Sequence, residues 1–315
     1  MNSTPREPSA KASMLDVVTL VRSLAIVFIV IAHLTTFDYG GGGALILMLL
    51  AGFTYARYIL PKVEYQRESN KRHILLIVKI AIPTFSFLFL QQLASPKSFN
   101  WPVVALYSNF VDPKMNGAWF IEVYLQINLF LLLIVQNERV RILIGSLKTF
   151  GRASMALVAS VFLALISDLL WSADSLYNRV PTELFWFFSA GILMSACSSL
   201  IERAIFVSIV GAALFLTNAT LQPFLLASVL AVAFVSKISF PKIGVKVVTA
   251  LSGASLMIYL THFFFAKVMI KLWSNSPSWA NVTFALICGV ILQYAYGMAW
   301  NKWRQRYVPI AIRAT

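Results

Sequence analysis

Charge is scarce in this chain, and acid is scarcer than base. Only 12% of the 315 residues are Asp, Glu, Lys or Arg, twelve of them acidic, and there are three histidines. A soluble domain carries roughly 25% charged residues, so an ordinary water-soluble fold is excluded. Cysteine is nearly absent as well. Cys197 and Cys288 both fall in apolar stretches, which leaves no disulfide framework and no thiolate cluster for a metal. No linker is long enough to tether a soluble domain, and no internal repeat stands out. No small-residue cleavage site follows the first apolar stretch, which therefore reads as a retained span rather than a signal peptide.

What fills the space is hydrocarbon. The chain is 59% apolar with a mean hydropathy of +0.77, and apolar stretches of membrane-crossing length recur along almost all of it. Ten are read: 14–37, 43–60, 73–93, 117–136, 153–171, 182–198, 204–218, 220–236, 248–270 and 280–301. The stretch 101–111 is too short to span and reads as interfacial or re-entrant. The expectation is an all-α polytopic membrane protein of about ten transmembrane helices. A cytoplasmic tail (1–13) precedes the transmembrane domain (14–304), and a second tail (305–315) follows it. With both termini cytoplasmic, nineteen Lys and Arg residues fall inside and five outside, with Arg22 and Lys79 left within spans. Such a bias orients the chain. It also explains the +14 net charge through topology and anionic headgroups. Nucleic acid is not implied, because the basic residues are scattered over short loops.

The ionisable residues inside the apolar stretches carry the chemistry. Arg22 and His33 lie in one helix eleven residues apart, which is 20° past three full turns, so they share a face about 16 Å apart along the axis. A fixed cation and a titratable imidazole are thus aligned across much of a bilayer, although an Arg pairing with a neighbouring helix and a core-satisfied His also fit. Glu122 lies about five residues from the outer end of an antiparallel span, at the depth of His33. A carboxylate there suits orienting an imidazole base, or merely reaching the headgroups. Ser255, Tyr259 and His262 are spaced i, i+4, i+7, a polar stripe that serves either a site or an interhelical ladder. On the cytoplasmic side Arg57, Lys62, Lys71, Arg72, His73 and Lys79 suit a polyphosphate or plain positive-inside anchoring. Gly40 to Gly43 form a turn beside His33 that admits a close approach.

These residues carry a resemblance. Leu20-Val-Arg-Ser-Leu-Ala-Ile-Val-Phe-Ile-Val-Ile-Ala-His33 resembles the first-helix motif of the acyltransferase family 3 membrane proteins. Leu49-Leu-Ala-Gly-Phe53, Trp119-Phe-Ile-Glu-Val-Tyr-Leu-Gln126 and Ser255-x-x-Ile-Tyr-Leu-x-His262 resemble three further family motifs, in the family's order. Thr19 stands where the family usually has an acidic residue. The Arg-rich stretch is reduced to Arg72 through Lys79-Ile-Ala-Ile-Pro83, and Glu122 sits earlier than the family's glutamates.

The resemblance implies a multi-pass protein of the bacterial cytoplasmic membrane. It would transfer an acyl group, most often acetyl, from cytoplasmic acyl-CoA to a sugar hydroxyl of a surface or exported glycan or lipid-linked sugar. In that reading Arg22, Arg72 and Lys79 hold the CoA phosphates, and His33 deprotonates the acceptor or takes the acyl group itself. Glu122 orients His33, His262 or Tyr259 stabilises the oxyanion, and Trp119 lines the acceptor site. No metal is required. The rival reading is a secondary transporter or flippase in which Arg22, His33, Glu122 and His262 relay protons or bind an anionic solute. A small-molecule or lipid acceptor would keep the enzyme and change its substrate.

Overall fold

The computed structural model describes residues 13–37, 42–63, 65–94, 99–112, 117–170, 179–217 and 222–307. Residues 1–12 and 308–315, Gly40, Gly41, Lys97, Lys114 and most of the turn at 218–222 lie outside the described residues. The described residues are all-α apart from one two-stranded ribbon. Among the described residues six helices are long and apolar enough to cross a membrane: Val17–Leu34, Gly43–Lys62, Gln66–Leu93, Phe150–Leu170, Ser255–Leu272 and Ser278–Trp303. A seventh is added if Trp119–Ile134 and Glu138–Lys148, bent by 118°, count as one span. Three other apolar stretches form helices of 16, 17 and 12 residues: Pro181–Ala196, Leu200–Leu216 and Pro223–Phe234. The expected domain 14–304 divides into two compact units.

The first unit holds the described residues of Met1–Asp38 and Lys237–Thr315. It starts with a correction to the first span. Residues Ser13–Asp16 are not helical but form strand β1, antiparallel to β2 (Lys237–Phe240), with Ser13 opposite Phe240 and Asp16 opposite Lys237. Helix α1 (Val17–Leu34) begins where the Asp16 carboxylate accepts from the Val18 backbone N–H at 2.8 Å, satisfying a donor the helix leaves open. Asp16 is thus spent as a cap. The expected span 248–270 also breaks. Its first residues belong to α11 (Lys242–Gly253), and α12 (Ser255–Leu272) starts after Ala254. α13 (Ser278–Tyr307) packs against α12 with Gly289 over Ile258, where a side chain would strike the Ile258 backbone. Helix α1 lies against α11, α12 and α13.

The second unit, Tyr39–Ser236, contains α2 (Gly43–Tyr58) and α3 (Gln66–Leu93), with the short α4 (Trp101–Val104) after them. It continues with α5 (Trp119–Ile134), α6 (Glu138–Gly145), α7 (Phe150–Leu170), α8 (Pro181–Ala196), α9 (Leu200–Leu216) and α10 (Pro223–Phe234). Gly42 enters α2 at φ +86°, a left-handed conformation that costs glycine nothing. Its tightest seam joins α2 to α8. A Cβ on Gly52 would overlap the Phe188 carbonyl, and one on Gly191 would overlap the Leu49 carbonyl, so two glycines let the backbones touch. The Leu49-to-Phe53 motif is therefore a packing device. Ser199 and Glu202 form a capping box that starts α9, and Ser198 holds the exposed Glu202 carboxyl below the usual range. Many large apolar side chains face outward, among them Phe162, Ile166, Leu169, Ile287, Ile291 and Met298. Outward apolar faces of this kind suit a lipid solvent.

Candidate active site

Two histidines meet in the first unit. His33 sits in the last turn of α1 and His262 in the second turn of α12, and their ring nitrogens His33 Nδ1 and His262 Nε2 lie 2.9 Å apart. The rings are close to coplanar, at 14°, with Phe263 beside both, 5.0 Å from His33 and 4.2 Å from His262 between ring centres. His262 is fully buried and His33 is exposed.

Proton bookkeeping assigns the tautomers. His262 Nδ1 lies 2.8 Å from the Tyr259 carbonyl and 3.2 Å from the Ile258 carbonyl. Carbonyl oxygens only accept, so that nitrogen carries the proton and donates. In the neutral ring Nε2 of His262 is then an acceptor, and His33 Nδ1–H must donate to it. The lone pair of a neutral His33 is thereby left on Nε2. A chain of carbonyl, buried imidazole and exposed imidazole turns His33 toward proton acceptance, as the third group does in a nucleophile–base–orienter array.

The other anticipated residues are placed as follows. Arg22 is half-buried on α1, in the same unit as the histidine pair. Tyr259 is buried and contributes its carbonyl to His262, its ring centre 6.0 Å from that imidazole. A groove of about 660 Å³ lies between α11 and α13, with Lys246, Thr249, Gln293, Tyr294 and Asn301 among its lining.

His262 is a hydrogen-bond partner of His33 within the first unit, and Glu122 belongs to the second. Glu122 is fully buried, its Oε2 accepting from Ser108 Oγ at 2.8 Å and its Oε1 from the Asn109 N–H at 3.2 Å. Asn109 and Gln126 exchange side-chain hydrogen bonds at 2.9 Å, and Gln126 Nε2 also donates to the Leu106 carbonyl at 2.8 Å. Leu106 has φ +57°, a strained value for a branched side chain. The short stretch 101–111 is therefore stapled to α5 through polar groups in an apolar setting. Trp119, at the start of α5, lies under the Arg179 guanidinium at 5.1 Å from its ring centre.

Two of the expected cytoplasmic cations, Lys62 and Arg72, meet at one carboxylate. Arg72 Nη2 donates to Glu68 Oε1 at 2.8 Å and its Nη1 to the Tyr58 carbonyl at 3.4 Å, while Lys62 approaches the same Glu68 at 3.7 Å. Lys79 is exposed two turns along α3. His73 does not face the headgroups with its neighbours; it is fully buried beside Tyr55 and Asn128. Sequence reasoning assigned no role to Ser108, Asn109, Gln126, Tyr55 or Asn128, although a polar side chain inside an apolar stretch is itself the signal. Among the described residues no three His, Cys, Asp or Glu side chains gather as a metal site requires.

Compared with protein-family models, curated proteins and solved structures, the chain matches none.

Proposed function

We propose that this chain is a multi-pass membrane O-acyltransferase that moves an acetyl or other acyl group from acyl-CoA to a hydroxyl of a glycan or lipid-linked sugar. The observation that carries the reading is the 2.9 Å His33–His262 hydrogen bond, which puts the lone pair of an exposed imidazole on Nε2. The resemblance of the four ordered motifs supplies the substrate class. In the reaction His33 Nε2 takes the proton of the acceptor hydroxyl, and the oxygen attacks the thioester carbonyl. The C–S bond then breaks, and the departing thiolate recovers the proton from the imidazolium. The charge that appears on His33 leaves its Nδ1–H still donating to His262, so the pair loses no bond at the moment of reaction.

Arg22 is assigned to a CoA phosphate, and the resemblance adds Arg72 and Lys79 as further donor-binding cations. Arg72 is a weaker candidate because Glu68 already engages it. Trp119 offers an aromatic face to a sugar, and Glu122 shapes that region by holding Ser108 and Asn109. Ten spans with both termini cytoplasmic, in a bacterial cytoplasmic membrane, complete the proposal. The transporter reading takes its support from the full burial of His73 and Glu122 in the second unit. Purified protein incubated with radiolabelled acetyl-CoA and candidate glycans separates the two. Label appearing on the acceptor, or on the protein, supports the enzyme; hydrolysis and transfer both at background refute it.

A further inference from the structure

A second buried cluster, independent of the acyl-transfer reading, lies where α2, α3 and α5 meet in the second unit. Tyr55 on α2 and Ser69 and His73 on α3 are each no more than 2% exposed. Tyr55 Oη, Ser69 Oγ and His73 Nδ1 nevertheless have no hydrogen-bond partner among the described residues. The other groups of the cluster are accounted for. Asn128 Nδ2 donates to the Tyr124 carbonyl at 2.8 Å, which turns Asn128 Oδ1 toward His73 Nε2 at 3.3 Å. An amide oxygen only accepts, so His73 Nε2 carries the proton and the lone pair of the neutral ring is on Nδ1.

Ser69 and His73 are one turn apart and share a face of α3. The Tyr55 ring meets His73 edge-on, with centres 5.3 Å apart. Two hydroxyls and one imidazole lone pair are thus buried on three neighbouring side chains, each without a hydrogen-bond partner among the described residues. Native proteins leave few buried polar groups in that condition. Internal waters typically make about three hydrogen bonds, to groups of just this kind. We propose that Tyr55, Ser69 and His73 form a binding site for an internal water molecule that ties α2 to α3. The water donates to His73 Nδ1 and completes its bonds with the two hydroxyls. His73 is then a fixed junction of three helices rather than a headgroup cation.

The sign of a stability change tests this. If the hydroxyls hold a water, Tyr55→Phe and Ser69→Ala in the full chain each lower Tm, by about 2–4 °C, and the double variant loses less than the sum because both act on one ligand. If the hydroxyls are unpartnered, deleting either removes an unsatisfied group, and Tm rises or stays level; that result overturns the proposal. A second reading is independent of stability. The chain has three histidines, so the His73 ring nitrogens are assignable by ¹⁵N solid-state NMR against a His73→Gln sample in lipid. Magnetisation transfer from water to His73 Nδ1, lost in Tyr55→Phe, supports the site. A Nδ1 signal with no water contact overturns it even if the variants are destabilised.

Discussion

An imidazole serves as a base only while its second nitrogen is held, because a ring free to flip offers the wrong tautomer as often as the right one. In the proposed site the holding group is another imidazole, His262. His33→Ala should reduce acyl transfer by about 10²- to 10⁴-fold, with Tm little changed, since the side chain is exposed. Aggregation or a large fall in Tm would instead make His33 a structural residue. The pairing yields a finer test at His262. His262→Leu strands the His33 Nδ1–H and should cost about 10- to 100-fold in kcat. His262→Gln keeps an oxygen that accepts from that N–H and should recover part of the loss. Equal defects in both variants would assign His262 to packing alone. Arg22→Ala should weaken CoA binding by roughly 1.5–3 kcal/mol, or about ten- to over a hundred-fold in Kd, with acceptor KM nearly unchanged. Lysine should restore only part of that, lacking the fork that grips a phosphate. A direct binding measurement giving unchanged Kd would remove Arg22 from the donor site.

At the scale of the elements, hydropathy told most of the story. Six of the expected spans are, among the described residues, helices long and apolar enough to cross a membrane, because lipid-facing helices are apolar on every side and need no partner to be recognised. The pairing of helices was not legible, since it depends on backbone breaks that composition does not mark. A span of 248–270 would put His262 at roughly mid-depth, but the helix begins at Ser255 after Ala254. Seven residues of helix amount to about 10 Å of depth, enough to hide the meeting with His33. The strand Ser13–Asp16 was missed for a similar reason: its four residues form a ribbon only because Lys237–Phe240 lies alongside. The Leu49-to-Phe53 motif was read for its likeness and turned out to carry a helix crossing. That predicts Gly52→Ala and Gly191→Ala to be among the most damaging small changes in the chain. The added methyl meets backbone, which cannot move aside as a side chain does, and overpacking of this sort costs about 1–3 kcal/mol or more. Gly211→Ala is the control: open space surrounds it, and alanine favours the helix. Thermal melts in one detergent compare all three. A Tm for Gly52→Ala at or above that of Gly211→Ala would contradict the close crossing.

For the whole molecule, the distribution of charge along the chain is what bears on orientation. Nineteen Lys and Arg against five is a topology signal rather than a site, and the proposed orientation would put the start of α1, with Arg22, toward the cytoplasm and its end, with His33, toward the other face. Acyl-CoA is made in the cytoplasm and carries several phosphate charges, so a cationic inner mouth is where it should enter. The distance from Arg22 to His33, about 16 Å along the helix, is comparable to the reach of the phosphopantetheine arm. The thioester would then be presented near the outer third of the membrane, where the acceptor hydroxyl meets the exposed imidazole. Activity should accordingly require donor on the cytoplasmic side and acceptor on the opposite side. In oriented vesicles, acetyl-CoA sealed with the cytoplasmic face and glycan supplied to the other should give transfer, and the reverse arrangement should give none. His33→Ala should abolish the signal in the permissive arrangement, which ties the sidedness to this site rather than to leakage. Efficient transfer with both substrates confined to the non-cytoplasmic side would refute the threading of the donor through the membrane while leaving the acyltransferase activity standing.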